Sequence, residues 1–249
     1  MPILLKRPEQ LKLMREAGRI VAETLLLLRE AVRPGITTAE LDALAERHIR
    51  RRGATPSFKG YRGFPATICV AVNDEVVHGI PGPRVLREGD IVGIDIGARY
   101  RGFHGDATIT VPVGRVSPEA ERLLRVCREA LDIGIEQARA GNRLTDISAA
   151  IQRHVEAAGF SVVRDLYGHG IGRALHEEPM LPHYGPPGQG PLLRPGMVLT
   201  IEPMIAAGRP DTRLLDDHWT IVTADGSLSA QFEHTVAITD NGPEILTLP

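Results

Sequence analysis

Apolar residues recur at helical spacing in four stretches of the chain. Over residues 8–32, Leu11, Met14, Ile20, Val21, Leu25 and Leu28 fall on one stripe, with Pro8 suited to a first turn and Pro34-Gly35 closing the run. Thr37 or Thr38 caps a second helix over 39–52, where Thr38 and Leu41 are followed by Leu44 and Ala45, and Gly53 stops it. Ser117-Pro118 open a third helix, to about residue 140, carrying Leu123, Leu124, Cys127, Leu131 and Ile135. Thr145 caps a fourth over 146–158, closed by Gly159. Six stretches rich in Val, Ile and Thr and bounded by Gly, Pro or Asp predict strands: 67–72, 91–98, 107–113, 198–205, 219–223 and 232–239. Helix, helix, strands is thus followed by helix, helix, strands, with a seam near Gly114 to Pro118. The order is duplicated without residue-level self-similarity. It predicts one α+β domain, in halves of about 1–115 and 116–249, with helices packed on a mostly antiparallel sheet.

Composition narrows the class. The chain has 249 residues, 43% of them hydrophobic and 24% charged, ordinary for a soluble globular protein and enough to bury a core. A formal net charge of −2 sets up no field for nucleic acid or an anionic membrane. The apolar run Leu25 to Leu28 is far short of the roughly 20 residues of a membrane span, and it follows charged residues with no cleavage site after it. Two cysteines, Cys69 and Cys127, make no disulfide framework or zinc-thiolate module, and a reducing, cytoplasmic setting is expected.

Acids in apolar surroundings carry the chemistry. Asp95 sits between Ile94 and Ile96, and Asp106 opens Ala-Thr-Ile-Thr-Val. A hairpin folded about the Tyr100–Arg101 bond sets the two directly opposite, with Cβ atoms roughly 5 Å apart, though Gly102 and Gly105 leave room for a bulge. Buried carboxylates this close repel, so a cation must sit between them or one must hold a proton. Glu202, ending the apolar 198–201 run, and Glu233, opening another, supply matching acids from the second half.

The run Tyr167-Gly-His169-Gly-Ile-Gly-Arg-Ala-Leu-His176 is the most unusual. Its glycines could suggest a dinucleotide loop, but Pro179, Pro182 and Pro186 forbid the helix that loop requires. They instead let the backbone pass close to something while His169 points inward. His78 lies between a strand and a turn; His48, His154 and His218 have no assigned role, and His104, His183 and His234 stay open. Asp95, Asp106, His169, Glu202 and Glu233 form an oxygen-rich set with one imidazole, suited to Mn, Fe(II), Co or Zn. Four carboxylates exceed the needs of one ion, so two bridged divalent ions are the natural count, as in two-metal hydrolases.

In this order and spacing the five residues resemble the type I methionine aminopeptidases. So do His78-Gly-Ile-Pro, Gly102-Phe-His-Gly-Asp106, Gly168-His-Gly-Ile-Gly-Arg, His176-Glu-Glu-Pro, Ile201-Glu-Pro-Met, Ser229-Ala-Gln-Phe-Glu233-His-Thr, and the opening Arg7-Pro-Glu and Met14-Arg-Glu-Ala-Gly-Arg-Ile-Val-Ala-Glu. The resemblance runs from about residue 5 to 247. It implies the pita-bread fold, with two pseudo-symmetric halves in a single catalytic domain on a curved sheet. It also implies removal of the initiator methionine from nascent chains, by attack of a metal-bridging water on the first peptide bond, with a small second residue preferred. It gives Asp95 to one metal, Asp106 and Glu233 to both, and His169 and Glu202 to the other, with Glu202 also shuttling a proton. His78 would contact the scissile amide, and His176 would polarise its carbonyl. The methionine pocket maps onto Tyr61, Phe64, Cys69 and Trp219, a polarizable sleeve for a thioether. Arg62, Leu175 and Phe58 depart from the family's usual His, aromatic residue and Cys, which bears on the pocket rim and not on the ligands. The chain is similar to the compact bacterial form, and its own Pro2 is small enough for self-processing at Met1.

Two other readings share the fold. Xaa-Pro aminopeptidases and dipeptidases usually carry a further N-terminal domain, for which the length leaves no room. Non-catalytic pita-bread binding proteins typically lose metal ligands, whereas all five stand here. The expected partners are nascent-chain N-termini, with no nucleic acid and no membrane. The expected state is a monomer, and no basic tail marks the transient ribosome contact such an enzyme could make.

Overall fold

The computed structural model describes residues 2–249; Met1, where self-processing would act, lies outside the described residues. Helix α1 spans Pro8–Ala31 with Pro8 in its first turn, and α2 spans Thr38–Arg51. Thr37 Oγ1 accepts the Glu40 N–H (3.2 Å) while Glu40 Oε2 accepts the Thr37 N–H (2.8 Å), a reciprocal closure of the first turn. Helix α3, Pro118–Gln137, is capped by Ser117 and stops about three residues short of the expected end. Helix α4, Leu144–Ala157, starts earlier than expected and is not capped by Thr145. Asp146 Oδ2 accepts the Arg143 N–H at 2.7 Å, and Thr145 Oγ1 instead accepts from Gln189 N at 2.8 Å. Arg143 takes the cap position, and Asp146, three residues on, closes the first turn by reaching back to its N–H. Among the described residues no helix is long and apolar enough to cross a membrane.

Every strand pairing is antiparallel. Strand Ile91–Tyr100 pairs with Phe103–Pro112, with Ile68–Val72 and with the short Thr55–Pro56. In the second half, Val198–Ile201 lies between His234–Thr239 and Gly168–Gly170, flanked in turn by Gly242–Ile245 and Glu177–Leu181. Two three-stranded sheets complete the fold, one of which brings Ile221–Thr223 of the second half against Glu75–Val77 of the first. The expected 198–205 strand is broken at Glu202-Pro203, since proline cannot donate to a ladder. The expected 219–223 strand starts only at Ile221, leaving Trp219 in the preceding turn, where Asp217 Oδ1 accepts its N–H at 2.9 Å.

The main hairpin differs from expectation in register. It turns on Arg101–Gly102, at φ 45° and 85°, and not on Tyr100–Arg101. Two positive φ angles are what a two-residue type I′ turn demands, so the glycine fixes the centre of the turn. Asp95 therefore opposes Thr108, and Asp106 opposes Gly97. The two carboxylates stay on one face as diagonal neighbours, since pairing moved by two residues leaves the face unchanged.

The core is divided. One cluster gathers Ile20, Leu28, Leu41, Ile49, Ile68 and Ile94 from α1, α2 and the first-half strands. Another gathers Leu123, Leu131, Ile147, Ile151, Leu199 and Ile238. Each such side chain, fully buried, contributes about 1.5–3 kcal/mol. Between the clusters runs a seam of alternating bonds. Asp106 N donates to Thr235 Oγ1 (3.0 Å), which donates to Asp106 O (2.8 Å). Glu233 N donates to Thr108 O (2.9 Å), and Thr108 Oγ1 to Glu233 Oε2 (2.8 Å). Thr110 Oγ1 donates to Gln231 O (2.7 Å) and accepts from Gln231 N (3.1 Å). Helix α1 lies across this hairpin where Gly18 meets Gly105: a Cβ on Gly105 would stand 2.7 Å from Gly18 N.

Candidate functional site

The seam aims acids into one hollow. Ligand atoms of Asp95, Asp106 and Glu233 all lie within 4.8 Å of one another. Glu202 joins them from the end of the Val198–Ile201 strand, its Oε1 accepting from Thr200 Oγ1 (2.7 Å) and its Oε2 from Gln231 Nε2 (3.1 Å). His169 Nε2 stands 3.7 Å from Glu202 Oε1. The opposite ring nitrogen, Nδ1, lies 2.8 Å from the Gly170 carbonyl. A carbonyl can only accept, so Nδ1 carries the proton and Nε2 turns its lone pair toward the acids, the arrangement of a metal-ligating histidine. The glycines beside His169 have no space for a side chain: a Cβ on Gly168 would lie 2.5 Å from Thr200 O, and one on Gly170 2.1 Å from Glu178 O.

Taking these groups out of water opposes their charge. Burial pushes Asp95 up to about 7 and Glu202 up to about 8. Burial, with the neighbouring carboxylates adding to it, drives Asp106 and Glu233 well above the usual carboxylate range. Burial lowers His169 to about 4, so its imidazole is neutral at pH 7. Asp95 Oδ1 and Asp106 Oδ1 are buried with no hydrogen-bond donor. Orphaned carboxylate oxygens within reach of two further acids and an imidazole lone pair are a donor set that divalent cations complete.

The cavity above the acids, about 200 Å³, is lined by Asp95, Asp106, His169, Glu202, Glu233 and, around them, by His78, His176, Tyr61, Phe64, Cys69 and Trp219. All eleven residues singled out in the sequence thus face one space. Phe64 and Trp219 meet edge to face at 5.0 Å. His176 Nδ1 lies 2.8 Å from Tyr61 Oη, and its ring centroid 4.1 Å from that of His169. Burial first, then the charge of neighbouring groups, lowers His176 to about 3. His78 has φ 62°, a left-handed conformation that costs a non-glycine residue of order 1–3 kcal/mol and is tolerated most often at functional sites.

Sequence reasoning left out the residues that hold the ligands. Thr108, Thr200 and Gln231 bond to the acids directly, and they look like ordinary strand residues until the seam is built. His183 is one of the open histidines; its Nε2 accepts the Glu202 N–H at 3.1 Å, so its Nδ1 bears the proton, buried and without an acceptor. Val77, Leu166, Tyr167 and Met204 also line the cavity, as do Phe58, Arg62 and Leu175.

Comparison with known proteins points the same way. The chain matches the model of metallopeptidase family M24 over residues 12–240. A methionine aminopeptidase of Clostridium perfringens is 59% identical over 99% of both chains. Methionine aminopeptidase 1 of Bacillus subtilis is 56% identical over 98% of this chain and 99% of its own. The crystal structure of methionine aminopeptidase from Thermotoga maritima superposes with a TM-score of 0.98, at 46% identity and covering 100% of each chain. The prolidase from Pyrococcus furiosus shares the fold, with a TM-score of 0.81 at 24% identity, and this chain covers 65% of it.

Proposed function

The chain belongs to metallopeptidase family M24, and from that premise we propose how its cavity performs the family's chemistry. The fold is the α+β pita-bread fold, and the activity is that of a metalloaminopeptidase removing methionine from protein N-termini. The residues fit a pair of divalent ions. Asp95, Asp106, Glu233, His169 and Glu202 would hold them, Asp95 serving one ion, His169 and Glu202 the other, and Asp106 and Glu233 both. Such ions, Co, Mn, Fe(II) or Zn, would supply Lewis-acid polarisation and a nucleophilic water at neutral pH.

The protein supplies the rest. Tyr61, Phe64, Cys69 and Trp219 enclose the methionine side chain, where a thioether meets ring edges and a thiol. The tightness of the space beyond them selects a small second residue. His78 contacts the amide of the scissile bond. Tyr61 donates its hydroxyl proton to His176 Nδ1, which leaves Nε2–H of a neutral imidazole to donate to the carbonyl oxygen as charge develops there. Glu202, its oxygens steadied by Thr200 and Gln231, takes the proton of the attacking water and passes it to the leaving amine. Nascent N-termini are met in the cytoplasm, where we place the enzyme, working as a monomer with at most a transient ribosome contact.

The observation that carries this reading is the pair of orphaned aspartate oxygens facing two glutamates and a histidine lone pair across one cavity. The test is hydrolysis of Met-Ala-Ser beside an Ala-Pro peptide, with and without chelator. Met-Ala-Ser should be cleaved, chelation should stop cleavage, and added divalent metal should restore it. Activity surviving complete metal removal would overturn the assignment, and preferential cleavage of Ala-Pro would move it to the Xaa-Pro peptidases.

A further inference from the structure

Among the described residues no other Lys or Arg pair is as deeply buried at both ends as Lys6–Glu177. Lys6 Nζ stands 2.6 Å from Glu177 Oε2, with side-chain exposures of 5% and 7%. Taking two charges out of water is repaid only by good geometry and full partnering. Both carboxylate oxygens and two of the three ammonium hydrogens are partnered: Lys6 Nζ also donates to Leu4 O at 3.0 Å, and Glu177 Oε1 accepts the Ala174 N–H at 3.2 Å. The Lys6 N–H donates to Gly196 O at 2.6 Å. The lysine stem lies against Gly172, where a Cβ would come within 2.5 Å of Lys6 Cε and 2.7 Å of Glu177 Oε1. Gly172 in turn donates to Ala174 O and accepts from His104 N. The N-terminal segment is thus threaded beneath the turn of residues 172–177.

That turn presents His176, the residue next to Glu177. The His176 side chain is exposed to the cavity, and its ring contacts are the Tyr61 hydroxyl at one nitrogen and the faces of Tyr61 and His169. A single phenol steers the ring but does not fix the backbone that carries it. Pairing of Glu177 with Gly170 anchors the strand that follows, and the carboxylate of Glu177 closes the turn before it by accepting from Ala174, with Lys6 holding that carboxylate in place.

We propose that Lys6 is a positioning residue for His176, acting through Glu177 to keep Nε2 at the carbonyl-polarising position; this rests on the role given to His176 above. The segment before α1 is then part of the catalytic apparatus. Small displacements of a catalytic group cost up to about 10²-fold in rate.

The test is a double-mutant cycle on Met-Ala-Ser hydrolysis, with metal content equalised and the temperature well below unfolding. Lys6→Met keeps the stem on Gly172 and removes the ammonium. It should lower kcat by roughly 10- to 100-fold with KM within about twofold, and change kcat less than about twofold when His176 is already alanine. An unchanged kcat for Lys6→Met, or the same loss in both backgrounds, overturns the proposal, the second because it would mark a general structural effect. An unchanged kcat for His176→Ala alone overturns instead the role of His176 on which the proposal stands. Should Lys6→Met fail to accumulate as folded protein, Glu177→Gln, whose one carbonyl oxygen can accept from Ala174 while its amide nitrogen cannot accept from Lys6, replaces it in the same cycle, and the same outcomes support or overturn the proposal.

Discussion

The two halves deliver their acids differently. Asp95 and Asp106 stand on one unbroken hairpin, where alternation sets their face and the opposing Gly97 leaves Asp106 room. Glu202 stands where a strand stops before Pro203, Glu233 stands between two strands, and His169 sits in a three-residue strand whose pairing shifts register beside it. Each second-half ligand sends its own N–H out of its ladder: Glu233 to Thr108 O, Glu202 to His183 Nε2, and His169 to Thr200 Oγ1, and on the hairpin Asp106 does the same, to Thr235 Oγ1. An unbroken hairpin sets the face of a side chain by alternation alone, whereas a strand break holds one only if its freed donors find partners. Threonines therefore support ligands of both halves, and the second half adds a buried histidine.

The harshest way to break that contrast is to remove one ligand from each side. Asp106→Asn and His169→Ala should each abolish Met-Ala-Ser turnover while circular dichroism and cooperative melting persist. If either variant turns over like the parent, that side chain is not a ligand. His176→Ala, which leaves both ligand groups intact, should lower kcat by roughly 10²-fold, the loss typical of an oxyanion donor.

Removing the metal instead exposes both halves to their own charge. Asp95, near 7, and Glu202, near 8, lie above their ordinary values of 3.8 and 4.5 because of burial. A carboxyl raised in the folded state favours folding while both states are protonated, and that contribution is lost as pH rises through the folded value. Chelated protein should therefore lose stability between about pH 4 and 8, and metal-loaded protein should not. Melting temperatures of both forms at pH 5.5 and 8.5 check this, each kcal/mol being worth about 2–4 °C in a chain of this size. A chelated form equally stable at both values would mean the acids are not crowded in solution.

How much of this is visible without coordinates differs between the halves for the same reason. The hairpin acids stand out because polar residues interrupt a period of two, and the turn lies one residue beyond its expected place only because Gly102 accepts a positive φ that Tyr100 does not provide. The four helices are readable because their apolar stripes are long, although Asp146 outcompetes Thr145 at the start of α4. Glu202 and Glu233 are visible as acids at the ends of apolar runs. Their supports are not: Thr108, Thr200 and Gln231 face ligands only because the halves meet in one register, and no local pattern encodes a contact 125 residues away, as between Thr108 and Glu233. The Lys6–Glu177 pair, 171 residues apart, is hidden for the same reason.

Adjacent rungs of the seam sharpen the comparison. Thr108→Val deletes a donor to a ligand carboxylate, and Thr110→Val deletes one to a backbone carbonyl. Each should cost about 1–3 kcal/mol in denaturant melts, as a buried group loses its partner. Only Thr108→Val should also weaken metal binding, by roughly 10- to 100-fold, because it alone orients a ligand. Equal metal affinity in the two variants would show that the seam is merely structural.

The smallest effect is expected where an ion pair joins the halves at the surface. Arg15 of α1 grips Glu244 through Nε (2.5 Å) and Nη2 (2.8 Å), with side-chain exposures of 42% and 36%. Water screens such a pair, and Arg15→Ala should cost only about 0.2–1 kcal/mol, less in high salt. The hydrogen bond from Arg15 lowers Glu244 below its ordinary value, so its contribution is present above the normal carboxylate range and lost as pH falls through the lowered value. The gap in melting temperature between parent and variant should accordingly close as the solution is acidified. A gap that widens there would mean that the ionised Glu244 carboxylate is not what holds Arg15.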